Sequence, residues 1–343
     1  MRSDQKRVIL VTGGAGFIGS NFIHYYLAGH PGDHIINLDK LTYAGEEDHI
    51  KEIEQKSNYT FIKGDICDSE LVDEIFRTYG VTDIIHFAAE SHVDNAISEP
   101  DPFIATNING TYQLLKTAKR HWLEGGRDGE TNRFHHISTD EVFGTLAPDE
   151  APFNETSPYA PNNPYSASKA AADMLVRSYC KTYGLNTVIT NCSNNYGPRQ
   201  HMEKFIPTVV RTALKFEHIP LYGDGQQIRD WLYVEDHASA IDLVFHNGKK
   251  GEVYHIGGDN ERANLELANM ICDVLDELAP ISSGRRVAHY RDLITFVKDR
   301  PGHDRRYAID PQRIARDLNW RPKTRLEDGI RQTVGWYLEN EVL

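Results

Sequence analysis

The segment Lys6–Ser20, K-R-V-I-L-V-T-G-G-A-G-F-I-G-S, constrains the fold more than any other stretch of the chain. A short β-branched, apolar run enters a glycine cluster, and an apolar helix pattern continues from Phe17 to about Leu27. Gly13, Gly16 and Gly19 form G-x-x-G-x-x-G. Glycines so spaced let the backbone turn tightly, approach a pyrophosphate, and pack a helix close on its strand. The helix N-terminus then offers unpaired N–H groups and the positive end of a dipole to phosphate oxygens.

The next apolar run, His34–Leu38, ends at Asp39, twenty residues beyond Gly19. A carboxylate there suits an adenosine ribose 2′-OH and repels a 2′-phosphate, favouring NAD over NADP. The alternative is that Asp39 only caps a loop. Tyr59–Ile66 reads as a third strand, with Asp65 and Ile66 placed to flank an adenine. Asp68 or Ser69 caps a helix through Tyr79, which Gly80 ends. Val81–Ala89 reads as a fourth strand finishing in small residues, and a helix is expected from about Thr106 to Trp122. Glu124–Asn132 reads as a polar surface loop. Alternation of strand and helix from residue 7 to 144 predicts an α/β fold with a doubly wound parallel sheet.

Phe134–Gly144, F-H-H-I-S-T-D-E-V-F-G, reads as a strand that ends in a hydroxyl and two carboxylates, Thr139, Asp140 and Glu141. Chemistry in such sheets sits beyond the carboxyl ends of the strands, and two adjacent acids with different duties allow one proton to leave and another to arrive. The plainer alternative is a solvated turn with a helix N-cap. Asn163–Tyr183 opens N-P-Y-S-A-S-K and reads as a helix, so Tyr165 and Lys169, four apart, share a face. The same Y-x-x-x-K spacing recurs at Tyr59–Lys63, on a strand, and at Tyr112–Lys116, ahead of the acidic strand. Only Tyr165–Lys169 follows that strand. A free phenol titrates near 10, and a neighbouring ammonium lowers that value, so the pair suits a base; an ordinary amphipathic helix is the alternative.

A formal net charge of −13 argues against a nucleic-acid partner, whose phosphates need clustered cations. Cys67, Cys180, Cys192 and Cys272 form no C-x-x-C pair, which fits isolated thiols in a reducing compartment. Val8–Val11 is too short for a signal-peptide core or a membrane span, so no membrane association and a cytoplasmic location are expected. No metal site is expected either: His135 and His136 are adjacent on a strand and face opposite sides, and no H-x-x-x-H helix occurs. In the second half, Ile219–Gly225 places turn glycines around Tyr222, suited to holding a flat base, and Arg229 and Arg300 suit a diphosphate.

Taken together, the glycine loop, Asp39, Phe87–Asp94 (F-A-A-E-S-H-V-D), S-T-D-E-V-F-G and Y-S-A-S-K-A resemble the extended short-chain dehydrogenase/reductase family. Asn191–Pro198, Gln227–His237 and Asp299–Asp310 resemble its nucleotide-sugar 4,6-dehydratase branch. The resemblance implies a Rossmann-like NAD-binding domain over 1–190 and 231–257. It implies a smaller, discontinuous α/β substrate-binding lobe over 191–230 and 258–343. NAD contacts are implied at Gly13, Gly16, Phe17, Ile18 and Gly19; at Asp39, Lys40, Leu41 and Thr42; and at Asp65 and Ile66. Further NAD contacts are implied at Phe87, Ala88, Ala89, Ser91, Thr106, Tyr165, Lys169 and Asn195. For the substrate, Ser91, Thr139, Asn194, Glu203 and Lys204 are implied. So are Pro220, Leu221, Tyr222, Arg229, Asn264, Arg300, His303 and Tyr307.

The chemistry implied is a redox cycle that closes on itself. Tyr165 takes the O4 proton, beside Thr139, as hydride leaves C4. Glu141 removes the C5 hydrogen, Asp140 protonates the departing C6 hydroxyl, and the hydride returns to C6 and a proton to C5. A 4-epimerase needs the tyrosine but neither acid. The implied substrate is dTDP-glucose, with UDP-glucose dehydration, 4-epimerisation and a catalytically silent NAD-binding regulator as alternatives. A homodimer is implied, pairing the Thr106–Trp122 and Tyr165–Tyr183 helices in a four-helix bundle. Arg199 and Met202 stand where the family often has an aromatic and a proline, which bears on sugar or base fit rather than on the chemistry.

Overall fold

Six strands from the first part of the chain and one from much later make a single all-parallel sheet in a computed structural model that describes residues 6–125, 131–299 and 303–340. These are β1 (Val8–Thr12), β2 (His34–Asp39), β3 (Tyr59–Lys63), β4 (Asp83–His86), β5 (Arg133–Thr139), β6 (Thr187–Cys192) and β10 (Val253–Ile256). Their spatial order is β3-β2-β1-β4-β5-β6-β10. Strand order reverses between β1 and β4, the crevice where such sheets bind ligands beyond their carboxyl ends. The middle strands are buried along nearly their whole length, as expected of a sheet covered on both faces: Ile9, Leu10, Ile84, Ile85 and Phe134 have no exposed surface.

The helices follow from local chemistry. α1 (Phe17–Gly29) begins at the glycine loop. α2 (Ser69–Tyr79) is capped by Asp68, whose side chain accepts from the Glu70 and Leu71 N–H groups, and it ends at Gly80 with φ +65°. The short α3 (Val93–Ser98) and α4 (Asp101–Phe103) lead into a helical run in which α5 (Thr111–Ala118) is flanked by π-helical Ile104–Gly110 and Lys119–Glu124. The helix expected over 106–122 is therefore longer, and wider-wound at both ends. α6 (Pro164–Tyr183) starts behind Asn163, whose side chain accepts from Ser166 N–H, and stops at Gly184 with φ +74°.

Beyond β6 the chain builds a second body. β7 (Asn194–Tyr196), β9 (Ile228–Tyr233) and β11 (Glu261–Ala263) form a three-stranded sheet in the order β11-β9-β7, and β8 (Ile219–Tyr222) pairs with β12 (Ile294–Val297). α7 (Phe205–Leu214), α9 (Asn264–Leu278) and α11 (Leu326–Glu339) enclose a separate apolar core with Ile206, Val210, Ile271, Leu275, Ile330 and Tyr337. α8 (Val234–Asn247) returns to the large sheet and packs on α1. Two boundaries differ from those expected. Asn191 and Cys192 complete β6, and Ile314 of α10 (Gln312–Leu318) with Trp320 joins the large-sheet core. The last strand, β10, needs cover, and α10 supplies it by packing on β10 and α8.

Candidate active site

One cavity runs along the carboxyl ends of β1, β2, β4, β5 and β6. It is bounded by the glycine loop on one side and the start of α7 on the other. Gly13, Gly16, Phe17, Ile18 and Gly19 line its floor. Gly13 has φ +73°, and a Cβ there would stand 2.6 Å from Ala88 N; one on Gly19 would stand 2.3 Å from Gly13 O. Those two glycines are required for backbone to pass backbone. At Gly16 a Cβ would meet Gly13 O at 3.3 Å and Ala44 O at 3.9 Å, and Gly16 caps α1 without any side-chain bond to the helix. The first N–H groups of α1 thus face a surface shaped for an anion, which fits a dinucleotide pyrophosphate.

Asp39 does two things at once. Its Oδ2 accepts from Ala15 N–H and its Oδ1 from Leu41 N–H, both at 2.8 Å, so it organises the loop. It also lines the cavity, and a carboxylate has acceptor sites left for a ribose. Burial raises its pKa, against the two backbone donors. Leu41 itself does not line the cavity; it contributes by backbone, at φ +54°. Lys40 pairs with Asp65 at 2.8 Å. Thr42, Ile66, Phe87, Ala88, Ala89, Ser91, Thr106 and Asn195 complete the expected cofactor wall.

Thr139, Asp140, Glu141, Tyr165 and Lys169 meet in the same cavity. β5 delivers Thr139, and the 3-10 turn Asp140–Phe143 that follows delivers the two acids: Asn191 Nδ2 donates to the Thr139 carbonyl at 2.9 Å and pins the strand end, and Glu141 N–H donates to Thr139 Oγ1 at 3.2 Å. Asp140 is 2% exposed, and its Oδ2 has no hydrogen-bond partner among the described residues. Burial foremost, then the carboxylates of Glu141 and Asp230, holds its pKa well above the usual range. A neighbouring acid pair has thereby been made unequal, with Asp140 biased towards the protonated form that can donate. α6 delivers Tyr165 and Lys169, and Lys169 Nζ donates to the Ile137 carbonyl at 2.8 Å.

The phenol departs from what its neighbour alone dictates. Burial, then Glu141, Cys192 and Asp140, raises the Tyr165 pKa well above 10. Lys169 is itself lowered by burial, against the pull of Asp173. Desolvation outweighs the ammonium here, so Tyr165 rests as a neutral phenol.

Asn194, Glu203 and Lys204 also line the cavity, and Lys204 Nζ reaches the Ser91 carbonyl at 3.2 Å, lacing the second body to the β4 loop. The other expected substrate residues lie outside its lining and form a neighbouring group. Arg229 is stacked on the Tyr307 ring at 4.3 Å and donates to the Asp304 carbonyl at 3.0 Å. Tyr222 and His303 meet edge to face at 6.2 Å. Glu141 acts electrostatically on Tyr307 and Arg229 on Asp140, so this group adjoins the acids. Leu221 is sealed in the second core at 1% exposure, leaving only its backbone for a ligand; Pro220 is half-buried and Asn264 opens α9. Arg300 lies outside the described residues. Sequence reasoning missed Asp173, Asn107 and Ser168. Asn107 Nδ2 donates to Ser168 Oγ at 2.8 Å and its Oδ1 accepts from Glu90 N–H, joining α6 to the β4 loop.

A family model described as GDP-mannose 4,6 dehydratase matches residues 10–333. The dTDP-glucose 4,6-dehydratase of Salmonella typhimurium is 52% identical over 341 residues, covering 97% of this chain and 93% of the relative. That of Neisseria gonorrhoeae is 52% identical over 342 residues, covering 99% and 98%. Among solved structures, the dTDP-glucose 4,6-dehydratase of Streptomyces venezuelae with NAD and TYD bound superposes with a TM-score of 0.88 at 43% identity, over 97% of this chain and 98% of that one. A UDP-glucose 4-epimerase of Thermotoga maritima with UDP-glucose gives 0.84 at 27% identity, over 97% and 99%.

Proposed function

The chain belongs to the GDP-mannose 4,6-dehydratase family, and on that footing we propose that it converts dTDP-glucose to dTDP-4-keto-6-deoxyglucose with NAD held along the glycine loop. The observation that carries this is the pair Asp140–Glu141 in one cavity with Tyr165 and Lys169. Epimerisation at C4 has no use for either acid, whereas expelling water across C5–C6 needs a base at C5 and a proton at the C6 oxygen.

NAD, when bound, supplies a reversible acceptor for one hydride. The residues do the proton work. The buried Tyr165 phenol first gives up its own proton to solvent, and the phenolate Oη then accepts the proton of the sugar O4, with Thr139 Oγ1 as hydrogen-bond partner to that oxygen. A carbonyl at C4 acidifies C5–H, and a Glu141 carboxylate oxygen takes that proton. Asp140, biased towards its protonated form by burial, delivers its proton to the C6 hydroxyl, which departs as water; C6 then takes back the stored hydride and C5 recovers a proton from Glu141. Lys169, anchored on the Ile137 carbonyl, sits where it can hold ribose hydroxyls. Arg229 and Tyr307 hold the diphosphate end, and Tyr222 faces the base.

Incubation with dTDP-glucose, and separately with UDP-glucose, tests the assignment by mass spectrometry. A product lighter by one water, formed faster from dTDP-glucose, is expected; a C4 epimer of unchanged mass refutes it.

The assembly we propose is a homodimer through α5 and α6, whose Tyr112, Met174 and Tyr183 are 44%, 50% and 48% exposed. Light scattering on Met174→Asp, which should dissociate, checks this. We place the protein in the cytoplasm, in keeping with its four free thiols, where its product would feed deoxysugar synthesis such as that of dTDP-rhamnose. No helix among the described residues is long and apolar enough to cross a membrane.

A further inference from the structure

We propose that His30, Asp242 and His246 form a zinc site that clamps α1 to α8 outside the cavity that holds the acids. His30 follows the last turn of α1, and Asp242 and His246 stand one turn apart on α8, facing the same way. His30 Nε2 lies 3.0 Å from Asp242 Oδ1, and His246 Nε2 lies 3.3 Å from the same oxygen. Neighbouring ligands around tetrahedral zinc, with bonds of about 2.0–2.2 Å, stand roughly 3.3 Å apart. The three donor atoms all lie within 4.8 Å of one another, so small side-chain rotations close the set.

The surroundings hold these groups in place. The His30 ring packs against Tyr26, at 4.2 Å, and against His246, at 4.8 Å, and those two rings also lie parallel at 6.0 Å. Tyr26 is itself fixed by donating to Asp33 Oδ2 at 2.7 Å. All three ligands are half-buried at the edge of a surface hollow, leaving a fourth position for water. Arg321 and Lys323 border the same hollow, and their charge weakens the site relative to one without them. His30 is 212 residues from Asp242, which is why no motif of ligand spacing betrays the set. The competing account is a bare pair of imidazoles hydrogen-bonded to one carboxylate.

The test uses the full-length enzyme stripped with a chelator, then dialysed against zinc chloride and compared with His30→Gln/His246→Gln. A single zinc equivalent is expected on the native chain and none on the variant. A zinc-dependent rise in Tm is expected only for the native chain, with unchanged turnover of dTDP-glucose in both. Cobalt substitution should give visible d–d bands that vanish in the variant. Cys67 is exposed in both proteins, so adventitious binding there cancels. Equal zinc content in the two proteins, or imidazole NMR signals that respond to pH but not to zinc, overturns the site.

Discussion

Ser166 Oγ donates to Glu141 Oε2 at 3.3 Å, so the helix that carries Tyr165 also steers the carboxylate of the strand end. Ser166 is fully buried and its own N–H is held by Asn163 Oδ1 at 2.9 Å. The helix cap, the base and the phenol therefore move as one unit. That coupling lets the residues be separated by function without the site coming apart.

Glu141→Gln keeps an acceptor for Ser166 but cannot take a proton from carbon. Turnover should fall roughly 10²–10⁴-fold, the usual worth of a general base. Tyr165 is untouched in this variant, so hydride removal at C4 should persist. Solvent deuterium incorporation at C5 is the readout; incorporation at the native rate removes Glu141 from the role.

Asp140→Asn removes the acid that burial biases towards its protonated form. Because its folded pKa lies above the unfolded value near 3.9, its contribution to stability is complete below that value and is lost as pH rises through the raised pKa. At neutral pH the variant should be at least as stable as the native chain while losing roughly 10²–10⁴-fold in water elimination. Turnover of the native enzyme should fall on the alkaline side as this acid ionises. A variant with an unchanged alkaline limb would show that another group donates the proton.

Asp39→Ala deletes both the 2.8 Å bond to Ala15 N–H and that to Leu41 N–H. Hydrogen bonds to a charged group are worth about 1.5–3 kcal/mol each, so the glycine loop should loosen and NAD retention fall. Discrimination against NADP should also relax, since the repelling carboxylate is gone. Isothermal titration with both dinucleotides measures the two effects. Unaltered NADP rejection limits Asp39 to its loop-capping duty.

Much of this was readable from short-range chemistry. Asp68 and Gly80, Asn163 and Gly184 mark their helices because caps are written locally, and β1 to β6 announce themselves as apolar runs. Thr139–Glu141 was legible because it ends such a run. The π-helical turns around α5 were not, since a wider winding leaves the same apolar residues inward. Nor was the neutral resting state of Tyr165: the spacing to Lys169 is in the sequence, but the desolvation that overrides it depends on distant elements closing over the site. Leu221 resembled a ligand contact by its motif, yet tertiary packing took its side chain inward. Asp173 had a signal that went unread, because it continues the Tyr165–Lys169 face one turn further on.

Asp173 supplies the last prediction. Its Oδ2 accepts from Ser138 Oγ and from Tyr159 OH, each at 2.9 Å, and it is 1% exposed. Burial pushes its pKa up to about 6, against the Lys169 ammonium and those donors. In return it is the foremost influence keeping Lys169 charged against its own desolvation. Asp173→Asn keeps acceptors for both hydroxyls but removes the charge, so Lys169 should lose its proton at lower pH. The alkaline limb of turnover should shift downward, with KM for dTDP-glucose little changed because the residue touches no sugar. The stability profile gives an independent check. A carboxyl raised to about 6 contributes stability that is full below the unfolded pKa and lost as pH rises through about 6, and the asparagine variant should lack that slope. An alkaline limb that stays in place while the Tm slope disappears would leave Asp173 a purely structural residue. Movement of both makes it the positioning group for the lysine.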